Sequence, residues 1–75
     1  MITYRLRPDA TQVKLDSELK TVTNVVNKTD QKILGHMTNE EYYNRVAADA
    51  ASWPESTEAD YNTSKTEVLT YLSNI

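Results

Sequence analysis

A chain of 75 residues with no cysteine, one histidine and one glycine has room for a single domain (1–75), excludes disulfides and lacks the ligands of a closed zinc site. At this size only about 60% of the unfolded surface is buried on folding, so the core is marginal, and an oligomer or a larger protein partner is the staple that remains. The net charge of −3 divides unevenly: residues 1–36 carry six basic and four acidic side chains (+2), residues 37–75 two and seven (−5), a layout that steers a basic partner or aligns copies of the chain.

The chain opens with strict alternation. Ile2, Tyr4 and Leu6 lie on one side and Thr3, Arg5 and Arg7 on the other, the period of a half-buried strand. Pro8 ends it and Pro8-Asp9-Ala10-Thr11 reads as a turn. Residues 1–14 are therefore expected to form a strand or extended arm, with Ile2, Tyr4 and Leu6 as its contact face for the helices or for another chain's sheet edge.

The stretch 15–35 organises the rest. Leu15, Leu19, Val22, Val26 and Ile33 are spaced 4, 3, 4 and 7 apart, a stripe that predicts a central helix. Asp16 or Ser17 supplies an N-cap, acidic residues stand early and Lys28, Lys32 and His36 late, and Gly35 falls where a helix C-terminus favours positive φ. The competing reading is strand, because Thr21-Val22-Thr23-Asn24-Val25-Val26 is a β-branched run. Length tips the balance towards helix, since the stripe runs for about five turns. Its seam, Leu19, Val22, Val26 and Ile33, is too large for two short helices to cover and is expected to take a partner.

A second helix is expected over 38–53, opened by a capping box, Thr38-Asn39-Glu40-Glu41, and ended by Pro54. Residues 54–63 read as an acidic loop with Glu55, Glu58 and Asp60 as its patch. A second capping box, Ser64-Lys65-Thr66-Glu67, starts a C-terminal helix over 64–75 with Val68, Leu69, Leu72 and Ile75 on one stripe. The expected fold is mainly α, a small three-helix domain with an N-terminal strand or arm. The alternative is α+β, a short meander over 1–27 followed by two helices.

No pattern for catalysis emerges. His36 has no nucleophile or orienting acid fixed by spacing, and Glu40 and Glu41, being consecutive, point about 100° apart on a helix. The single glycine excludes calcium and phosphate loops of the known kinds. A helix-turn-helix about Gly35 would present two glutamates to a polyanion, which opposes phosphate. No cofactor, metal or enzymatic role is expected, nor direct nucleic-acid binding. Tyr43, Trp53 and Tyr61 are large, stiff and half polar, suited to an interface as well as to a core. There is no apolar run of membrane-spanning length and no signal-peptide core in MITYRLRP, so the expected location is cytoplasm or virion.

The function these features favour is non-enzymatic assembly through a protein partner or homo-oligomer. In size, lack of cysteine and Thr/Asn-rich composition the chain resembles small bacteriophage virion or accessory proteins, which implies a structural role in a particle. The alternative is an acidic inhibitor that mimics nucleic acid and blocks a basic groove, carried by Glu55, Glu58 and Asp60.

Overall fold

The computed structural model describes residues 1–74. Four strands, β1 (Ile2–Leu6), β2 (Gln12–Asp16), β3 (Thr21–Lys28) and β4 (Gln31–Thr38), are followed by two helices, α1 (Glu40–Ala50) and α2 (Glu58–Ser73). The strands form one antiparallel meander in the order β1-β2-β3-β4. The fold is therefore α+β, and the mainly α expectation is corrected: the central helix over 15–35 does not exist. Its residues make the end of β2, a tight turn, β3 and most of β4. The α+β alternative has the right class, but its meander ends at 27 where the real one continues to Thr38.

The physical reason lies in β3. Register places Leu15 opposite Val22, Val13 opposite Asn24, Val22 opposite Met37 and Val26 opposite Ile33. Opposed residues share a face and residues two apart share it too. Val13, Leu15, Val22, Asn24, Val26, Ile33, Gly35 and Met37 thus lie on one face, here face A. Tyr4, Lys14, Thr21, Thr23, Val25, Leu34 and His36 lie on the other, face B.

Helix α1 covers face A, where Val46 and Ala50 pack with Val13, Leu15 and Val22, flanked by Tyr42, Tyr43 and Trp53. Helix α2 covers face B, where Tyr61 and Val68 pack with Val25, flanked by Tyr4 and Leu34. With a helix on each side, β3 buries Thr21, Val22, Thr23 and Val25 together. A strand buried on both faces loses its alternation, and a spacing of four residues satisfies the period of a strand as well as that of a helix. That is why the valine-rich run imitated a helical stripe. The seam dissolves accordingly: Val22 is fully buried, Leu19 sits 66% exposed in the turn between β2 and β3, and Val26 and Ile33 face each other across β3 and β4.

The turns follow from local chemistry. After β1, Pro8 and Asp9 lead into Ala10 at φ 71, and the Asp9 carboxylate accepts from the Thr11 N–H at 3.1 Å. Between β2 and β3 the Asp16 carboxylate accepts from the N–H groups of Glu18 and Leu19, with Lys20 at φ 55. Hydrogen bonds from Thr11 hold the Asp9 carboxyl below its ordinary value, and those from Leu19 and Glu18 do the same for Asp16. Both carboxylates favour the fold above the usual carboxylate value of 3.8 and lose that effect as pH falls through their lowered values. Ala10 is the place to relieve strain. The left-handed region costs an L-residue about 1–2 kcal/mol, and the added chain entropy of glycine costs about 0.4–1 kcal/mol. Ala10→Gly is therefore expected to stabilise by about 0.5–1 kcal/mol, read as a raised Tm in a thermal melt.

The starts of both helices also shift. Thr38 belongs to β4, opposite Thr21, and the N-cap of α1 is Asn39, whose Oδ1 accepts from the Tyr42 N–H at 2.8 Å. Asn accepts as well as Thr at this position, so the first capping box lies one residue too early. The expected acidic loop over 54–63 is mostly helix: Thr57 caps α2 by accepting from the Asp60 N–H at 3.0 Å, and Glu58 and Asp60 stand in the first turn, where the dipole favours anions. The second capping box, 64–67, is interior to α2. Ile75, expected on the last stripe, lies outside the described residues. Gly35, expected as a helix C-cap, is an interior residue of β4 without positive φ.

Candidate functional site: an open sheet edge

The two edges of the sheet are treated differently. The segment joining the helices passes along β1. Leu6 N–H donates to the Pro54 carbonyl at 3.0 Å, Ser56 N–H donates to the Tyr4 carbonyl at 3.0 Å, and Arg5 and Glu55 form an antiparallel bridge. Proline suits this place, since its carbonyl is used and its missing N–H is not needed. The Arg5 guanidinium also donates to the Trp53 carbonyl at 3.1 Å. The segment thus carries the chain from face A to face B around the β1 edge and closes that edge on the way.

The β4 edge has no such cover. Among the described residues no backbone hydrogen bond reaches it from outside the sheet. Lys28 and Gln31 close a two-residue turn, so they form a hydrogen-bonded pair, and alternation along the ladder follows. Gln31, Ile33, Gly35 and Met37 direct their amides and carbonyls inward to β3. Lys32, Leu34, His36 and Thr38 direct theirs outward. The edge is eight residues long and carries neither proline nor bulge, with Lys32 its only strongly charged side chain. Such an edge is a template for another strand.

The face beside the edge is apolar. Helix α1 packs over β2 and β3, leaving Ile33 45% and Met37 49% exposed on face A, with Val26 half-buried opposite Ile33. Between Met37 and α1 lies an open depression of about 370 Å³ lined by Met37, Asn39, Glu41, Tyr42 and Arg45. The Arg45 guanidinium sits 5.5 Å over the Tyr42 ring, and Tyr42 Oη accepts from Asn24 Nδ2 at 3.3 Å, which holds that wall in place. Gly35 adds free space, since a Cβ there would meet no heavy atom within 4 Å.

The residues expected to make contacts scatter over this frame. Ile2, Tyr4 and Leu6 lie on face B of β1, and Tyr4 packs on Tyr61 with ring centroids 5.3 Å apart. Tyr43 and Trp53 flank the core beneath α1, and Tyr61 is buried beneath α2, so the aromatic set is divided between the two faces. Glu55 lies along β1, Glu58 accepts from the Tyr4 hydroxyl at 3.4 Å, and Asp60 stands in the first turn of α2. Of the proposed contacts only Val26 and Ile33 come together at an open surface. Met37, Gly35 and Arg45 are not among the contacts expected from the sequence. The signal that finds them is the run Lys32–His36 read as an edge strand, which needs the strand order first. His36 has its Nδ1 at 2.7 Å from Thr23 Oγ1, a cross-strand pair rather than a helix terminus. Among the described residues no three metal-ligating side chains converge, and no helix is long and apolar enough to cross a membrane. Compared with known proteins, the chain matches no family model, no curated protein and no solved structure.

Proposed function

We propose that the protein is a non-enzymatic interaction domain that offers the β4 edge and its apolar face to another polypeptide strand. The observation that carries this reading is the contrast between the edges: the chain closes β1 with its own residues 54–56 and leaves the outward amides of Lys32, Leu34, His36 and Thr38 without a backbone partner among the described residues. Main-chain hydrogen bonds along such an edge give affinity, and Ile33 and Met37 give side-chain selection. A role in building a larger particle, such as a phage virion, is compatible with this surface. A photo-cross-linking residue at Ile33 or Met37 is expected to yield protein adducts in the source cells. The same residue at Ile2, which is similarly exposed at 48% but lies on β1 at the opposite edge of the sheet, is expected to yield none. Equal yields from all three positions would refute the assignment of the edge.

A further inference from the structure

We infer that the strand received by β4 is the β4 of a second copy, in a two-fold antiparallel pair centred on Gly35. This rests on the edge-docking reading above and adds the identity of the partner and the register. The argument is one of self-complementarity. Outward amides must meet outward amides, so the even residues of one β4 pair with even residues of the other. Two registers use seven residues of each strand. One is centred on Leu34 and sets Lys32 opposite His36 of the other copy, leaving Ile33 against a glycine and Met37 against Gln31. The other is centred on Gly35 and sets Ile33 opposite Met37 twice, Leu34 opposite His36 twice, and Lys32 opposite Thr38 twice. Only the second pairs the two half-exposed apolar side chains of face A and puts no cationic side chain opposite a histidine.

Glycine also suits the centre. Gly35 is a residue whose backbone bonds point away from the new partner, so the two copies approach at about 4.5 Å between Cα atoms there, and neither carries a side chain. Pairing closes the assembly at two copies: the resulting eight-stranded sheet ends at both sides in β1, whose edge residues 54–56 already occupy. The interface is isologous, as expected of a two-fold dimer.

Sedimentation equilibrium over a concentration series up to the millimolar range is expected to show a monomer–dimer equilibrium. Hydrogen exchange is expected to show the amides of Lys32, Leu34, His36 and Thr38 losing protection on dilution, while those of Ile33, Gly35 and Met37 keep theirs. Two double variants test the register, at positions exposed enough to leave the fold intact, as circular dichroism melts would verify. I33E/M37E places carboxylates opposite each other and is expected to be monomeric. I33E/M37K places glutamate opposite lysine twice and is expected to dimerise on the order of tenfold more tightly than I33E/M37E. A wild-type protein that stays monomeric throughout the series overturns the inference, and so does equal weakening of the two variants. If the wild type is monomeric while cross-links from Ile33 capture a different protein, the edge reading stands and the second copy is excluded.

Discussion

Tyr61→Ala is expected to leave the protein largely unfolded near physiological temperature. Tyr61 is the largest of the fully buried side chains and joins Val25 and Val68 in the core cluster that holds α2 to face B, with the Tyr4 ring tilted against it at 51°. Truncating a buried aromatic to alanine costs about 3–5 kcal/mol, because the surrounding side chains cannot close the space. A domain of 75 residues holds about 4–11 kcal/mol in total, so one substitution removes a large share. A urea melt followed by circular dichroism is the measurement. A loss under about 1 kcal/mol would mean that α2 is held by something other than this cluster.

The same tyrosine brings an alkaline limit. Burial pushes the Tyr61 hydroxyl above its ordinary value of 10.0, a shift partly offset by the Thr23 side chain and increased by Tyr4. Tyr4 is also raised, by burial first and then by the adjacent Glu58 carboxylate. Below 10.0 both hydroxyls are protonated in the folded and unfolded chains, and stability does not depend on them. As pH rises past 10.0 the unfolded chain ionises first, so stability falls until the raised folded values are passed. Tyr4→Phe combined with Tyr61→Phe is expected to flatten that fall in melts run above the ordinary tyrosine value.

Asn24→Leu is expected to cost about 2–3 kcal/mol although it replaces a polar group by an apolar one of similar size. Asn24 sits on face A, where its Oδ1 accepts from Arg7 Nε and Nη2 at 3.1 and 3.0 Å and its Nδ2 donates to Tyr42 Oη. The Arg7 guanidinium lies 4.7 Å over the Trp53 ring. One amide therefore ties β3 to the first turn, to α1 and to the segment that closes the β1 edge. Hydrogen bonds to a charged group contribute about 1.5–3 kcal/mol, and leucine would leave a partly buried guanidinium without its acceptor. Among the described residues no buried side-chain polar atom lacks a partner, so the wild type has no such orphan. Asn24→Asp separates geometry from polarity. It keeps both acceptor contacts and adds an opposite charge beside Arg7, and Tyr42 can donate to it, so its stability should equal or exceed the wild type in the same urea melts. Equal stability of the leucine and asparagine proteins would show that the network contributes nothing.

The edge and the network explain why this sequence is read only in part. Local signals carry local structure: the alternation Ile2-Thr3-Tyr4-Arg5-Leu6 forms β1, Pro8 falls in the turn after it, and Pro54 lies outside both helices. Capping chemistry was visible too, with the choice between Thr38 and Asn39 settled by the pairing of Thr38 with Thr21. The charge asymmetry of the chain is also an asymmetry of layers, because the basic half forms the sheet and the acidic half the helices.

The sequence by itself determined one short domain without disulfides, an extended start, and a helix on either side of the Pro54 segment. Tertiary structure alone decided the state of 15–35. Its four-residue spacings fit both periods, and what made it strand was a helix on each face, burying Val22 and Val25 from opposite sides. It alone also decided which edge stays open, since that depends on the 54–56 segment meeting β1 from some fifty residues away. No local pattern encodes such a contact, because hydrogen bonding between distant strands is set by where the chain travels, and every candidate surface on this molecule follows from it.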